Sequence, residues 1–431
     1  LGWDESNHVT WVTLAHSLWE NGVRLQRQRD TTLAKRNFFE ALDLLWEARF
    51  KFPYHVHCRT ELARLLRESD QVEMALTVYR EAVADFPNNE YCRVRLADTL
   101  LERGDLAEAQ EILEDTSVVF PEGHLWRKSL ADVLLRAGNQ QSEAISEARR
   151  LYQEAVARGN RDAGRALQAI GPRIAGVGGH ERRSDEVIEF PAPTLADMRP
   201  AQRLGRALLL QWQARRAESA EERERLFAEA EALLTLPDEL TGECRTAFVE
   251  ARGFLLLARD RATEARAYFE QQLAAFTRPP LGLRLGFAEA RARLSETLSD
   301  TEEAELASFG PEGSILPLVL KVVRLLESTA SDDALRDLLL ALYPRVRELA
   351  GMPASELGDE DEPAEPTAPA RQPETPDTMM AQLLLASVFR PAAINTPADL
   401  QAAESIPRVR ASLKAHRDDI FSVAEKLALA A

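Results

Sequence analysis

Residues repeat every 34 positions between about 31 and 136, and no other feature restricts the fold as tightly. Leu62, Leu96 and Leu130 share one register, as do Ala63, Ala97 and Ala131, and Leu66, Leu100 and Leu134. A second set runs Ala41, Ala75, Ala109; Leu45, Tyr79, Leu113; Ala48, Ala82, Thr116; and Pro53, Pro87, Pro121. A period of this length marks stacked supersecondary units, each too small to bury its own apolar face. Inside each period the apolar residues fall into two runs with three-to-four spacing, so each unit reads as a pair of helices. Small residues (Ala63 and Ala75, Ala97 and Ala109) fall where the helices must approach, and proline ends the second helix because it cannot continue one. Gly104 and Gly138 share a turn position that suits left-handed backbone.

The pattern Leu-Ala-x-x-Leu, then Ala-x-x-x-Tyr/Leu-x-x-Ala, then Pro resembles the tetratricopeptide repeat (TPR) family over three consecutive units, about 31–136. The resemblance implies an all-α fold: an α-solenoid of helix–turn–helix repeats whose first helices line a concave surface. Where the family has a bulky residue near the start of the first helix, this chain has Arg59, Arg93 and Arg127. Cys58, Cys92 and Trp126, one position earlier, are expected to take over the packing, leaving the arginines as a solvated ladder along one edge.

Low aromatic content (6 %), 20 glycines and much Ala, Leu, Glu and Arg favour helix over the whole length. Residues 8–28 and 31–50 make a first hairpin whose leading helix is out of repeat register. The array is expected to fill 1–170, with clean units at about 31–136 and a stretched fourth unit in which Tyr152 and Ala155 come late. An irregular connection, rich in glycine and proline, follows over 171–200. A second, degenerate helical-repeat block is expected over 201–350, around Leu204-Gly205, Gly253, Ala265 and Phe269. Residues 351–378 carry eight acids, one base and six prolines and read as a disordered acidic linker. As a flexible chain this segment would span roughly 30 Å. A small helical element, 379–431, closes the sequence with amphipathic runs at Met379–Phe389 and Ile420–Leu427.

A net charge of −17 disfavours nucleic acid and anionic membrane surfaces. Three cysteines provide no disulfide framework and fit a reducing, cytoplasmic setting. No apolar run is long enough to span a membrane, and the first residues form no signal peptide. The sequence does not begin with Met, so it is expected to be trimmed or a piece of a longer chain. His55-x-His57-Cys58 is the only cluster of metal-type ligands; it lacks a fourth ligand, and repeat register points His57 and Cys58 apart, so no metal is expected. Gly176-Val177-Gly178-Gly179 has neither the lysine nor the preceding strand of a phosphate loop. No catalytic motif is present, and neither catalysis nor a cofactor is expected.

The concave face is the candidate site. By the family's geometry its inward positions are His57, Thr60, Arg64, Arg67 and Glu68; Tyr91, Val94, Asp98, Leu101 and Glu102; and Leu125, Lys128, Asp132, Leu135 and Arg136. An apolar strip (Tyr91, Val94, Leu101, Leu125, Leu135) between cationic ends (Arg64, Arg67; Lys128, Arg136) suits an extended or helical peptide bearing carboxylates. The chaperone-tail clamp of the family needs asparagines where this chain has Arg64, Asp98 and Asp132, which argues against such tails as ligands. The function expected is a non-catalytic scaffold or adaptor that binds a protein or peptide partner. The alternatives are a regulatory or sensor module of a larger enzyme or defence-type complex, and, less favoured, an RNA-binding helical repeat. The acidic linker is also expected to compete for the cationic ends of the groove.

Overall fold

Helix-capping side chains and left-handed turn residues mark out the hairpins of the computed structural model. It describes residues 7–137, 142–170, 195, 198–235, 242–276, 279–294, 296, 314–325, 332–350, 375–402 and 404–430, and all regular structure among them is helical. In chain order the helices are α1 (His8–Arg27), α2 (Thr31–Lys51), α3 (Val56–Glu68), α4 (Val72–Asp85), α5 (Glu90–Arg103), α6 (Leu106–Val119), α7 (Leu125–Ala137), α8 (Ser142–Ala157) and α9 (Arg161–Ile170). Then come α10 (Pro200–Arg216), α11 (Ala220–Leu233), α12 (Gly242–Ala258), α13 (Ala262–Leu273), α14 (Leu281–Arg293), α15 (Leu316–Leu325) and α16 (Asp332–Leu349). The chain closes with α17 (Pro376–Leu384), a π-turn segment (Leu385–Phe389), a 3-10 turn (Pro397–Gln401), α18 (Ser405–Ala415) and α19 (Arg417–Ala430). Most of the 171–200 connection and of the acidic segment lies outside the described residues, as do Gly138 and the glycine run at 176–179.

Short polar side chains start several helices. Asn7 accepts from the Val9 N–H at 2.9 Å, Asp30 from Leu33 at 3.2 Å and Asn89 from Cys92 at 3.1 Å, each satisfying an amide the helix leaves open. The turns inside four hairpins pass through left-handed backbone, at Arg29 (φ 67°), Asp70 (63°), Gly104 (102°) and Asp260 (55°). Only Gly104 takes this conformation without a steric cost. Replacing the exposed Arg29 with glycine is therefore expected to stabilise the protein by about 0.5–1 kcal/mol, read as a higher urea midpoint.

The chain forms two compact units, one of Leu1–Cys58 with Thr194–Ala431, the other of Arg59–Pro193. In the first, α10 packs on α2: a Cβ on Gly205 would come within 2.4 Å of the fully buried Trp46 ring, and Arg49 donates to the Gly205 carbonyl at 3.3 Å. Hairpin α1/α2 is thus continued in space by α10/α11, α12/α13 and α14. Phe269 on α13 fits against Gly253 and Gly286, where even a methyl group would collide with its ring. Phe38 on α2 meets Gly22 on α1 in the same way.

The C-terminal element belongs to this unit. α17 begins at Pro376, three residues before the apolar pattern, behind a Thr375/Thr378 capping box. Asp377 accepts from Ser314 Oγ at 2.7 Å and the Ile315 N–H at 3.0 Å, and so caps α15. Tyr343 on α16 donates to the Ile394 carbonyl at 3.1 Å and meets the Phe389 ring edge-on. α18 packs on α16 and the π-turn segment, while α19 packs on α12, α14 and α17 and touches α2.

The second unit stacks the clean hairpins α3/α4 and α5/α6 and the stretched hairpin α7/α8, followed by α9. Its core is the repeating series itself, with Leu62, Ala63, Leu66, Tyr79, Ala97, Leu100 and Leu113 fully buried. The arginine series is not the solvated edge its charge suggested. Arg59 is 1 % exposed, pairs with the buried Asp85 and lies over the Phe86 ring. Arg127 is also buried, pairs with Glu154 at 3.2 Å, donates to the Pro121 carbonyl and stacks on Trp126. Arg93 pairs with Asp115 and donates to the Pro87 carbonyl at 3.3 Å. The physical reason is local: in the turns before α5 and α7 a guanidinium reaches the Pro87 and Pro121 carbonyls while its stem fills the gap between hairpins.

Hairpins are also joined by carboxylates. Glu90, at the start of α5, accepts from the Leu125 and Trp126 amides at 2.9 and 3.1 Å, capping α7 in the next repeat. Gly123 permits this, because a Cβ there would meet the Glu90 carboxylate at 2.6 Å. In the first unit Glu250 on α12 does the same for α14, accepting from the Gly282 and Leu283 amides where only glycine leaves room.

Candidate interaction face

The first helices of the second unit, α3, α5 and α7, present successive turns to one face, because the 34-residue repeat places equivalent side chains side by side. The structure brings most of the predicted residues together there, with two differences. His57 is exposed but falls in the other compact unit. Thr60, Val94 and Leu101 are buried (2 %, 5 % and 6 % exposed), so the apolar strip open to a ligand reduces to the half-buried Tyr91, Leu125 and Leu135. Packing of α5 against α7 covers Val94 and Leu101, and Arg136 closes over the latter by donating to its carbonyl at 2.9 Å.

The cations are engaged too. Arg64 pairs with Glu61 and Glu68 on its own helix at 2.8 and 2.7 Å. Arg67 reaches Glu102 on α5 at 3.2 Å, and Lys128 reaches Asp132 at 2.6 Å. Three of the four cations at the expected ends are therefore neutralised by carboxylates one helical turn or one repeat away, while among the described residues Arg136 meets only the Leu101 carbonyl. A ligand carboxylate would have to share these cations or displace their partners.

Three residues that the repeat geometry did not select complete the face. Arg95 stacks on Tyr91, 4.8 Å from the ring centre, and pairs with Asp98 at 3.4 Å. Ser129 donates to Asp98 at 2.6 Å, linking α5 to α7. Tyr152, from α8, donates to Asp132. Burial raises the pKa of Asp98, and the nearby Asp132 adds to this against the opposing Ser129, Arg95 and Lys128. Burial, helped by Asp132, raises the Tyr152 phenol. The i+4 spacing of Tyr91 and Arg95 was the available signal for Arg95; Ser129 and Tyr152 had none, because their roles depend on how hairpins stack.

The face therefore consists of a Tyr91–Arg95 platform, a row of paired charges and two half-buried leucines. It has donors, acceptors and an aromatic plane for recognising a peptide, and no grouping of nucleophile and base. Among the described residues no three metal-type ligands converge, and no helix is long and apolar enough to cross a membrane.

Stacked helical hairpins with such a face define a helical repeat protein of the α-solenoid class. Residues 68–133, from the end of α3 into α7, match the tetratricopeptide repeat family, so the assignment to that family is made for this stretch. Among solved structures the chain is similar to a tetratricopeptide repeat protein from Parabacteroides merdae. That likeness has 14 % identity and a TM-score of 0.25 and covers 76 % of this chain and 98 % of the other, too distant a superposition to extend the assignment. No curated protein matches the chain.

Proposed function

We propose that the protein is a non-catalytic interaction scaffold or adaptor, and that the face formed by α3, α5 and α7 binds a segment of another protein. The observation that supports this best is the tetratricopeptide match over 68–133, since repeats of this family are in general protein-interaction modules. The Tyr91–Arg95 platform supplies an aromatic and cationic surface, and the paired charges around it supply both donors and acceptors for a partner's main chain. The ligand this favours is an extended or helical peptide of mixed charge, because Arg64, Arg67 and Lys128 already have carboxylate partners while Arg136 has none among the described residues. Action as a regulatory module of a larger complex would use the same face.

The test compares partner recovery by wild type and by the double variant Arg64→Glu/Lys128→Glu, with helicity checked by circular dichroism. Loss of a wild-type partner, with helicity retained, is the expected result. Equal recovery of every partner would remove this face from the proposal. A milder variant, Tyr91→Ala, is expected to weaken binding of the same partner by about tenfold or more, the scale of losing one aromatic anchor.

A further inference from the structure

A hairpin inside a solenoid is covered on two sides by its neighbours. On α1/α2 one side is closed, where Trp46 and Arg49 seat it on α10. Repeat register locates the other. Gly22 and Phe38 have the spacing of Ala97 and Leu113, so Leu18, Asn21 and Leu25 of α1 take the places that Arg93, Leu96 and Leu100 hold on α5. On α5, which packs on the preceding α4, Leu96 is 4 % exposed and Leu100 fully buried. On α1 all three positions are only half-buried, and Leu14, one turn earlier, is 36 % exposed. The side that α4 covers on α5 is therefore open on α1 among the described residues.

The open side is apolar and nearly free of charge. Of the seven large hydrophobic side chains exposed among the described residues, four (Val9, Leu14, Leu33 and Phe39) belong to this one hairpin. Residues 8–19 include no Asp, Glu, Lys or Arg, in a chain of which 29 % is charged. Leu14, Leu18, Asn21 and Leu25 follow the 4-3-4 spacing of a two-helix seam with a single polar position. Such a surface offers no complementary charge to a different partner, but it suits a second copy. Around a two-fold axis each residue lies near its own equivalent, so a charge there would meet its like. Two copies of net charge −17 repel over the rest of their surfaces and can meet at a stretch without charge. The size is sufficient: α1 has 20 residues and is about 30 Å long. With two helices side by side, each copy offers roughly 600 Å², and the pair about 1,200 Å², the lower end for specific complexes.

We propose that the open side of α1/α2 is a homodimer interface, in which α1 pairs antiparallel with α1 of a second copy about a two-fold axis near Leu18 and Asn21. Leu14 of each copy then packs on Leu25 of the other, and the two Asn21 amides hydrogen-bond across the axis. The antiparallel arrangement also sends Arg24 and Arg27, in the last turn of each α1, to opposite ends of the pair.

Sedimentation velocity on the full chain tests this at about 100 μM, above the micromolar dissociation constant that suits an interface of this size. Wild type is expected to be a dimer. Leu14→Glu, which puts a carboxylate into the seam at an exposed position, is expected to weaken it about tenfold or more with helicity unchanged. A monomeric wild type, or a dimer as stable in Leu14→Glu as in wild type, would overturn the proposal. Orientation is read from disulfides formed with oxidised glutathione. Asn21→Cys is expected to cross-link to its own copy, whereas Val118→Cys, on the exposed side of α6, is not. A dimer in which Asn21→Cys fails to cross-link, or Val118→Cys cross-links instead, would also overturn it. None of these residues belongs to the face formed by α3, α5 and α7, so the two proposals fail independently.

Discussion

Arg59→Ala is expected to destabilise the second unit by about 3–5 kcal/mol, the usual cost of stranding a buried charge. Asp85 is 4 % exposed and Glu81 fully buried, and both face the space the guanidinium would leave. Burial alone would lower the Arg59 pKa, but Asp85 and Glu81 hold the group charged. The same position in the next two repeats gives internal controls. Arg127, nearly as buried but paired with the half-exposed Glu154, should cost less when replaced by alanine. The Arg93 partner Asp115 is mostly exposed, so Arg93→Ala should cost about 1 kcal/mol or less. Urea denaturation of the three variants provides the measurement, and equal losses would contradict the burial argument. Replacing Arg59 and Asp85 together with apolar residues should recover part of the loss, because the second charge then goes too.

The second large effect depends on pH. Burial pushes the Glu250 carboxyl up to about 8 from an ordinary 4.5, against the opposing hydrogen bonds from the Gly282 and Leu283 amides. Between these two values the folded chain holds a proton that the unfolded chain has released. Unfolding then sheds a proton, so raising the pH favours it. The group's contribution is fully present below about pH 4.5 and is lost as the pH rises through 8. At pH 8 the loss is on the order of 3–5 kcal/mol. Glu250→Gln keeps an oxygen for the amides and cannot ionise. It is expected to stabilise the first unit at pH 8, to have little effect near pH 4.5, and to flatten the stability profile between them. A profile unchanged by the substitution would show that Glu250 ionises freely in the folded protein.

The hairpins could be read from the sequence because they rest on short-range periodicity: apolar spacing, capping residues and prolines identified them from Trp11 to Val119. The solenoid class followed from the same pattern. Stacking order could not be read in this way. Nothing local to Trp46 or Gly205 announces that they touch, 159 residues apart. The leading helix looked out of register because the 34-residue period was counted between hairpins. Counted within one, Gly22 and Phe38 show the same separation as Ala63 and Tyr79, Ala97 and Leu113, and Gly253 and Phe269. Across these pairs Phe is matched with Gly, and Tyr and Leu with Ala, so the pattern conserves space rather than residue type. The inner face was located by repeat register, but its electrostatics were misjudged. Counting cations along α3 and α7 overlooked the carboxylates one turn or one repeat away, and that pairing is three-dimensional.

The carboxylate caps between neighbouring hairpins give the solenoid a direction. If α7 peels away together with α8 and α9, Glu90 merely hydrates, as any surface carboxylate does. If α5 is lost first, the Leu125 and Trp126 amides lose their cap at the start of a helix. In the other unit, peeling α14 from α12 even frees Glu250 to ionise. α7 and α14 thus rely for a cap on the hairpin before them. Each stack is therefore built to unzip from its C-terminal side, and force applied at that end should open it hairpin by hairpin.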